Sequence, residues 1–265
     1  MKKLFIKTVA LSAAVVMLGT SCTKTGATGP AGSAGAAGPV LTGNIEGIIS
    51  LYDDGNVRLF GAAPASATIV LTNNSTGATL TSAVSTSGTY TFSNVTTGTY
   101  SFTVSNLGYG TTKGLGFEFA GGGTAYRNFS IAEVPATNVT SATTNTSTTT
   151  SGTLTTDYVN VTGSVPLSSE TSFIITFAYT GNTVSGVFGN YVTYASTSVA
   201  AGQTTFTTAF SATTLMNDYN FTSNQPIYFA TYIYGQNSSY VDPLSGLTVY
   251  TALSSTPAFS SSIVP

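Results

Sequence analysis

The 265-residue sequence has no histidine, no tryptophan and a single cysteine, Cys22. Without histidine the chain lacks the commonest general base and the commonest metal ligand. Ser-His-Asp and Cys-His nucleophile arrangements are excluded with it. One cysteine excludes an internal disulfide. Charge is equally scarce. Only 6% of the residues are charged, where about a quarter is usual. A chain this poor in Lys and Arg argues against nucleic-acid binding, which needs clustered cations to neutralise phosphates. The polar surface must come from Thr, Ser, Asn and Gly. Threonine is β-branched and favours strands, so the composition points to an extracytoplasmic all-β protein.

The few acids give no catalytic signature. Glycoside hydrolysis needs only two carboxylates at a set separation. Glu118, Asp157, Glu170, Asp218 and Asp242 are available, but no spacing singles out a pair. No catalytic residue, metal ligand or cofactor site is assigned, and the expectation is a protein that is not an enzyme. Asp53-Asp54-Gly55-Asn56 could offer oxygens to Ca²⁺, but no complete ligand loop follows, and a solvated turn is expected there.

The position of Cys22 is informative. Lys2, Lys3 and Lys7 form a positive leader, and Thr8 to Leu18 is an apolar run too short to span a membrane. Gly19, Thr20 and Ser21 are small residues directly before Cys22. This resembles a bacterial lipoprotein signal over residues 1–21, which implies that Cys22 is acylated and becomes the first mature residue. The usual box has Leu three residues before the Cys; here Gly19 holds that place and Leu18 lies one further back. Removing three of the seven basic residues leaves four against nine acids, a net charge of −5. A mildly acidic body does not adhere to anionic lipid, so acyl chains must provide the attachment, and two or more hold where one does not. The resemblance implies the cell envelope, with an outer-membrane anchor. Thr23-Lys24-Thr25, in place of acidic residues after the Cys, favours a periplasm-facing anchor over surface display.

Residues 22–40 read as a Gly-rich, collagen-like tether. Gly26, Gly29, Gly32, Gly35 and Gly38 fall at every third position, with Pro30 and Pro39 among them. Five triplets are too few to hold a triple helix unaided, so a spacer is favoured over a short trimerising stalk.

The stretch from Gly88 to Val104 contains Gly-Thr-Tyr-x-Phe twice, at Gly88–Phe92 and at Gly98–Phe102. Tyr90 and Phe92 share one face of a strand, and Tyr100, Phe102 and Val104 repeat the pattern with Thr and Ser opposite. Ser93 to Gly98 suits a turn, and two antiparallel strands joined by a short loop are expected. The motif, followed by Gly108-Tyr109, resembles the carboxypeptidase regulatory-like domain. The resemblance covers residues 41–134 and departs at Thr96-Thr97-Gly98, where the family often has Pro before the Gly. It implies a seven-stranded transthyretin-like β-sandwich and a non-catalytic, modular role. The residues agree with that strand count: strands are expected around Ile45–Leu51, Ile69–Leu71, Leu80–Val84, the two repeats, Phe117–Phe119 and Phe129–Ile131.

Residues 135–155 are almost wholly Thr, Ser, Asn and Ala and read as a linker or a solvated edge segment. Triplets such as Asn138-Val139-Thr140 reflect that composition rather than glycosylation. Residues 156–265 are expected to form a second sandwich, Ig- or fibronectin-like. Its strands are predicted at Tyr158–Val161, Ser172–Tyr179, Val184–Phe188, Tyr191–Ser196, Thr204–Phe210, Ile227–Tyr234 and Leu247–Leu253. The apolar runs Phe173–Phe177 and Tyr228–Tyr234 belong to central strands, and Leu215–Tyr219 to a short helical turn. Ten of the fifteen tyrosines lie in this half, either because tyrosine suits strands or as a binding surface. The function expected is that of a non-catalytic, lipid-anchored envelope protein with a structural, adhesive or assembly role. The alternative is an accessory ligand-binding lipoprotein whose partner is a glycan or a protein.

Overall fold

The computed structural model describes residues 38, 40–61, 63–182 and 190–265. Residues 1–21, Cys22, most of the Gly-x-x triplets and the strand expected at Val184–Phe188 lie outside the described residues. Residues 40–265 make one compact unit with all-β sandwich architecture. Among the described residues no helix is long and apolar enough to cross a membrane.

The first half is built from β1 (Thr42–Tyr52), β2 (Arg58–Leu59), β3 (Thr68–Asn73), β4 (Thr79–Ala83), β5 (Thr89–Thr96), β6 (Gly98–Ser105), β7 (Thr112–Phe119), β8 (Thr124–Tyr126) and β9 (Phe129–Ala132). The seven expected strands correspond to β1, β3, β4, β5, β6, β7 and β9, with β2 and β8 as short additions. One sheet has β1 at its centre, antiparallel to β2 and β5 and parallel to β8 and β9. The other runs β4-β3-β6-β7.

The two copies of the repeat do not form a hairpin. β5 pairs with β1, whereas β6 pairs with β3 and β7. The chain crosses from one sheet to the other at Thr97, whose N–H and hydroxyl both donate to the Leu41 carbonyl, at 2.8 and 3.1 Å. A second hydroxyl contact, 2.9 Å to the Ala120 carbonyl, holds the corner. Period-2 alternation reports which face a side chain takes, not which strand lies beside it, so the pairing was not encoded in the repeat. The faces are as expected: Tyr90, Phe92, Tyr100, Phe102 and Val104 are all buried in one core. Ladder register slips by one residue between Gly43↔Val95 and Ile45↔Phe92. Asn94 absorbs this bulge at φ 56°, which brings Val95 inward beside the aromatics.

The second half comprises β10 (Ser141–Ser151), β11 (Leu154–Ser164), β12 (Ser172–Tyr179), β13 (Thr193–Val199), β14 (Thr205–Ser211), α1 (Ala212–Tyr219), β15 (Pro226–Ile233), β16 (Ser239–Val241), β17 (Thr248–Tyr250) and β18 (Ala258–Ile263). A three-stranded sheet β10-β11-β14 faces a four-stranded sheet β13-β12-β15-β18 across a shared core. β12 and β15 are central, and both their faces are buried.

Most of the stretch 135–155 is not a linker. Ser141–Ser151 is a strand paired residue for residue with β11. Ladder bonds use backbone groups that every residue but proline carries, so a segment with little to bury still pairs; of its two readings, the solvated edge is the one observed. Leu247–Leu253 contributes only the short β17, and β16 and β18 were not anticipated. α1 is longer than the expected turn. Ser211 caps its N-terminus by accepting from Thr214 N–H, and Asn220 closes it in the left-handed region.

Candidate functional site

The segment 235–254, which carries the β16–β17 hairpin, covers the outer face of the β12–β15 sheet. Beneath it lie Phe177, Tyr179, Tyr191, Tyr232 and Tyr234, with Tyr250 and Leu253 of the cover packed against them. Phe177 touches Tyr191 at 5.0 Å between ring centroids and Tyr232 at 6.1 Å, and the Tyr191 hydroxyl donates to the Thr248 carbonyl at 2.9 Å. Burial pushes the Tyr179, Tyr191, Tyr232 and Tyr250 hydroxyls up from their ordinary range. These tyrosines form a packed inner layer rather than a face open to a ligand.

The same segment joins the two halves. Ser238 is fully buried. Its Oγ accepts from Ala132 N–H at 2.6 Å and donates to the Ala132 carbonyl at 3.3 Å. Thr112 Oγ1 donates to the Ser239 carbonyl at 2.9 Å, and Thr251 Oγ1 to the Thr111 carbonyl at 2.6 Å. Backbones meet closely here. A methyl group on Gly110 would stand 2.6 Å from Ser238 Cβ, and one on Gly235 would stand 2.6 Å from the Glu133 carbonyl oxygen; only glycine fits at either position. Lys113 Nζ sits 4.6 Å from the centre of the Tyr240 ring.

The turn at Asp53–Asn56 belongs to this joint. Asp53 Oδ1 accepts from Val57 N–H at 2.6 Å, and Asn237 donates a side-chain hydrogen bond to Asn56. Glu170 lies against Gly55. Glu133 has its pKa raised, first by burial and then by Asp54, Asp53 and Glu170. The turn is thus half-buried against the second half, not freely solvated. Burial and the surrounding acids favour the neutral form of the Glu133 carboxyl. Open depressions lie elsewhere, among them one along Ser141, Thr143, Thr162 and Thr207 and another around Tyr126 and Glu46. Among the described residues no three acids or other ligand groups are placed to hold a metal ion.

Of the carboxylates singled out in the sequence, Glu170 joins this acidic group. Glu118 lies on β7, Asp157 on β11, where Thr148 Oγ1 donates to it at 2.7 Å, and Asp218 on α1. Asp242 sits in an exposed turn, its pKa lowered chiefly by the Ser245 hydroxyl and N–H. Asp53, Asp54 and Glu133 converge through tertiary contacts that no local spacing announces.

Residues 55–132 match the carboxypeptidase regulatory-like domain family, within the 41–134 span of the sequence resemblance. No curated protein sequence matches. Solved structures similar to the chain include a candidate carbohydrate-binding protein from Bacteroides uniformis, 15% identical, covering 84% of this chain and 99% of that one with a TM-score of 0.29. A DUF3823 family protein from Parabacteroides merdae is 10% identical, with coverage of 83% and 100% and a TM-score of 0.25. BcpA, the major pilin subunit of Bacillus cereus, is 13% identical, with coverage of 83% and 69% and a TM-score of 0.28.

Proposed function

We propose that the chain is a non-catalytic, lipid-anchored protein of the bacterial cell envelope, with a structural, adhesive or assembly role. What supports this reading is the match over residues 55–132 in a chain whose Lys-rich, apolar leader ends at Cys22. Acyl chains on Cys22 hold it to the membrane, the outer membrane on this reading and facing the periplasm. The Gly-rich stretch 22–40 spaces the sandwiches from the lipid. The absence of histidine removes the usual nucleophile–base arrangements, and the acids that do gather serve a joint between the halves. The glycan-binding alternative loses its first support, because the tyrosine-rich half keeps its tyrosine cluster inside.

The test is fatty-acid labelling in cells, with protease shaving to read the membrane face. Cys22→Ala is expected to abolish labelling and to move the protein to the soluble fraction. Labelling that persists in this variant removes the anchor and the envelope role built on it.

A further inference from the structure

β10 is an edge strand that carries neither the charges nor the proline that commonly protect edges. It has eleven residues, Ser-Ala-Thr-Thr-Asn-Thr-Ser-Thr-Thr-Thr-Ser, with no charge, no proline and no break in its register with β11. The unpaired N–H and C=O groups of such an edge are a template for another strand. Beyond Tyr158↔Ser211 the ladder with β14 stops, so the outer part of the β10–β11 hairpin is a two-stranded ribbon. Ribbons of two strands are marginal in water.

The direction of the unused backbone groups follows from the ladder. Val165 N–H donates to the Thr204 carbonyl at 2.8 Å, in line with the β11–β14 register. Odd-numbered residues of β11 therefore point their N–H and C=O at β14, and even-numbered ones at β10. By the β10–β11 register, odd-numbered residues of β10 are bonded to β11. Ala142, Thr144, Thr146, Thr148 and Thr150 aim theirs at the open edge. Beside this edge runs β18, the open edge of the facing sheet, reached by Thr144 Oγ1 donating to the Ser261 carbonyl at 2.5 Å. β18 leaves Phe259 58% and Ile263 55% exposed.

We propose that β10 pairs antiparallel with β10 of a second copy of this chain, about a twofold axis at Thr146, to give a continuous six-stranded sheet. The strand is its own complement. Full overlap sets Thr146 against Thr146, Thr144 against Thr148, Ala142 against Thr150, Asn145 against Ser147, Thr143 against Thr149 and Ser141 against Ser151. Every hydrogen-bonded position is even-numbered, as the free groups require. Thr–Thr and Thr–Ser cross-strand pairs are favourable, and no like charges meet. Such a contact is isologous and closes at two copies. It goes beyond the envelope role and does not depend on acylation.

The test compares the full chain with Thr146→Pro, which deletes one outward N–H and leaves the β11 ladder intact. Sedimentation in detergent is expected to give twice the chain mass for the wild type and a single chain mass for Thr146→Pro. The same result is expected in a Cys22→Ala background, which separates pairing from lipid-driven association. In that background Thr146→Cys is expected to form a disulfide-linked dimer on mild oxidation. Its Cα atoms face each other at about 5.5 Å, within the range of a disulfide, roughly 4.4–6.8 Å. Thr150→Cys, which faces Ala142, is expected not to. A single chain mass for the wild type at all concentrations, a dimer that survives Thr146→Pro, or equal cross-linking at both cysteine positions overturns the proposal. So does a strand from a different protein found on β10.

Discussion

Replacing Ser238 by alanine tests how the two halves are held. Ala132 N–H points away from β1, because Tyr52 gives its carbonyl to Glu133 N–H instead, at 2.9 Å. Its partner is Ser238 Oγ, at 2.6 Å, and both residues are fully buried. The Ala132 carbonyl keeps a second donor, Gly110 N–H at 2.9 Å, so the substitution leaves one orphaned donor rather than two. A buried donor without a partner costs about 1–3 kcal/mol. For a unit of this size each kcal/mol corresponds to about 2–4 °C in Tm, so a loss of roughly 2–12 °C is expected. Calorimetry is the assay, because it also reads cooperativity. The wild type is expected to melt in one transition, and Ser238→Ala to broaden or split it as the halves uncouple. A Tm within about 1 °C of wild type, with an unchanged transition, would refute the claim that this hydroxyl ties the halves.

Two further expectations concern the core and the joint. Phe92→Ala removes a buried ring at 5.7 Å from Tyr90 and is expected to cost about 3–5 kcal/mol. Thr91→Ala, on the solvent face of the same strand, is expected to change stability by less than about 1 kcal/mol; equal losses in urea unfolding would show that the register is wrong. Glu133 has a raised folded-state pKa, so its ionised form disfavours the fold at pH values above that pKa. The penalty fades as pH falls through the folded pKa and vanishes below the unfolded one. Glu133→Gln is therefore expected to raise Tm slightly at pH 7, by under about 1 kcal/mol equivalent given solvent screening, with the gain shrinking toward pH 4. A gain that grows on acidification would contradict this account.

What could be read from the sequence was the set of faces. Tyr90, Phe92, Tyr100 and Phe102 declare a common core because alternation is local. β12 and β15 declare themselves central because apolar residues fill both of their faces. Pairing was not legible: the two repeats look like neighbours and stand on opposite walls. β10 was missed as a strand because its ladder needs only backbone, and a composition of Thr and Ser is equally that of a loop. The joint left almost no trace. Ser238, Gly110 and Gly235 are ordinary residues whose roles depend on chain segments more than 100 positions apart for the Ala132–Ser238 pair. The acids at Asp53 and Asp54 could be seen as a turn, but Glu133 and Glu170 could not be placed beside it.

The connection between the halves is short, from Glu133 to the start of β10 at Ser141. Fully stretched, those few residues reach only about 25–30 Å. If the bonds around Ser238 let go, the two surfaces stay confined to a small shared volume, where the effective concentration of one for the other is in the millimolar range or above. Rejoining is then an intramolecular step, and contacts too weak to hold two separate molecules suffice. The covering segment 235–254 thereby acts as a self-healing latch: a sandwich pulled off it is kept within reach of the same few hydroxyls.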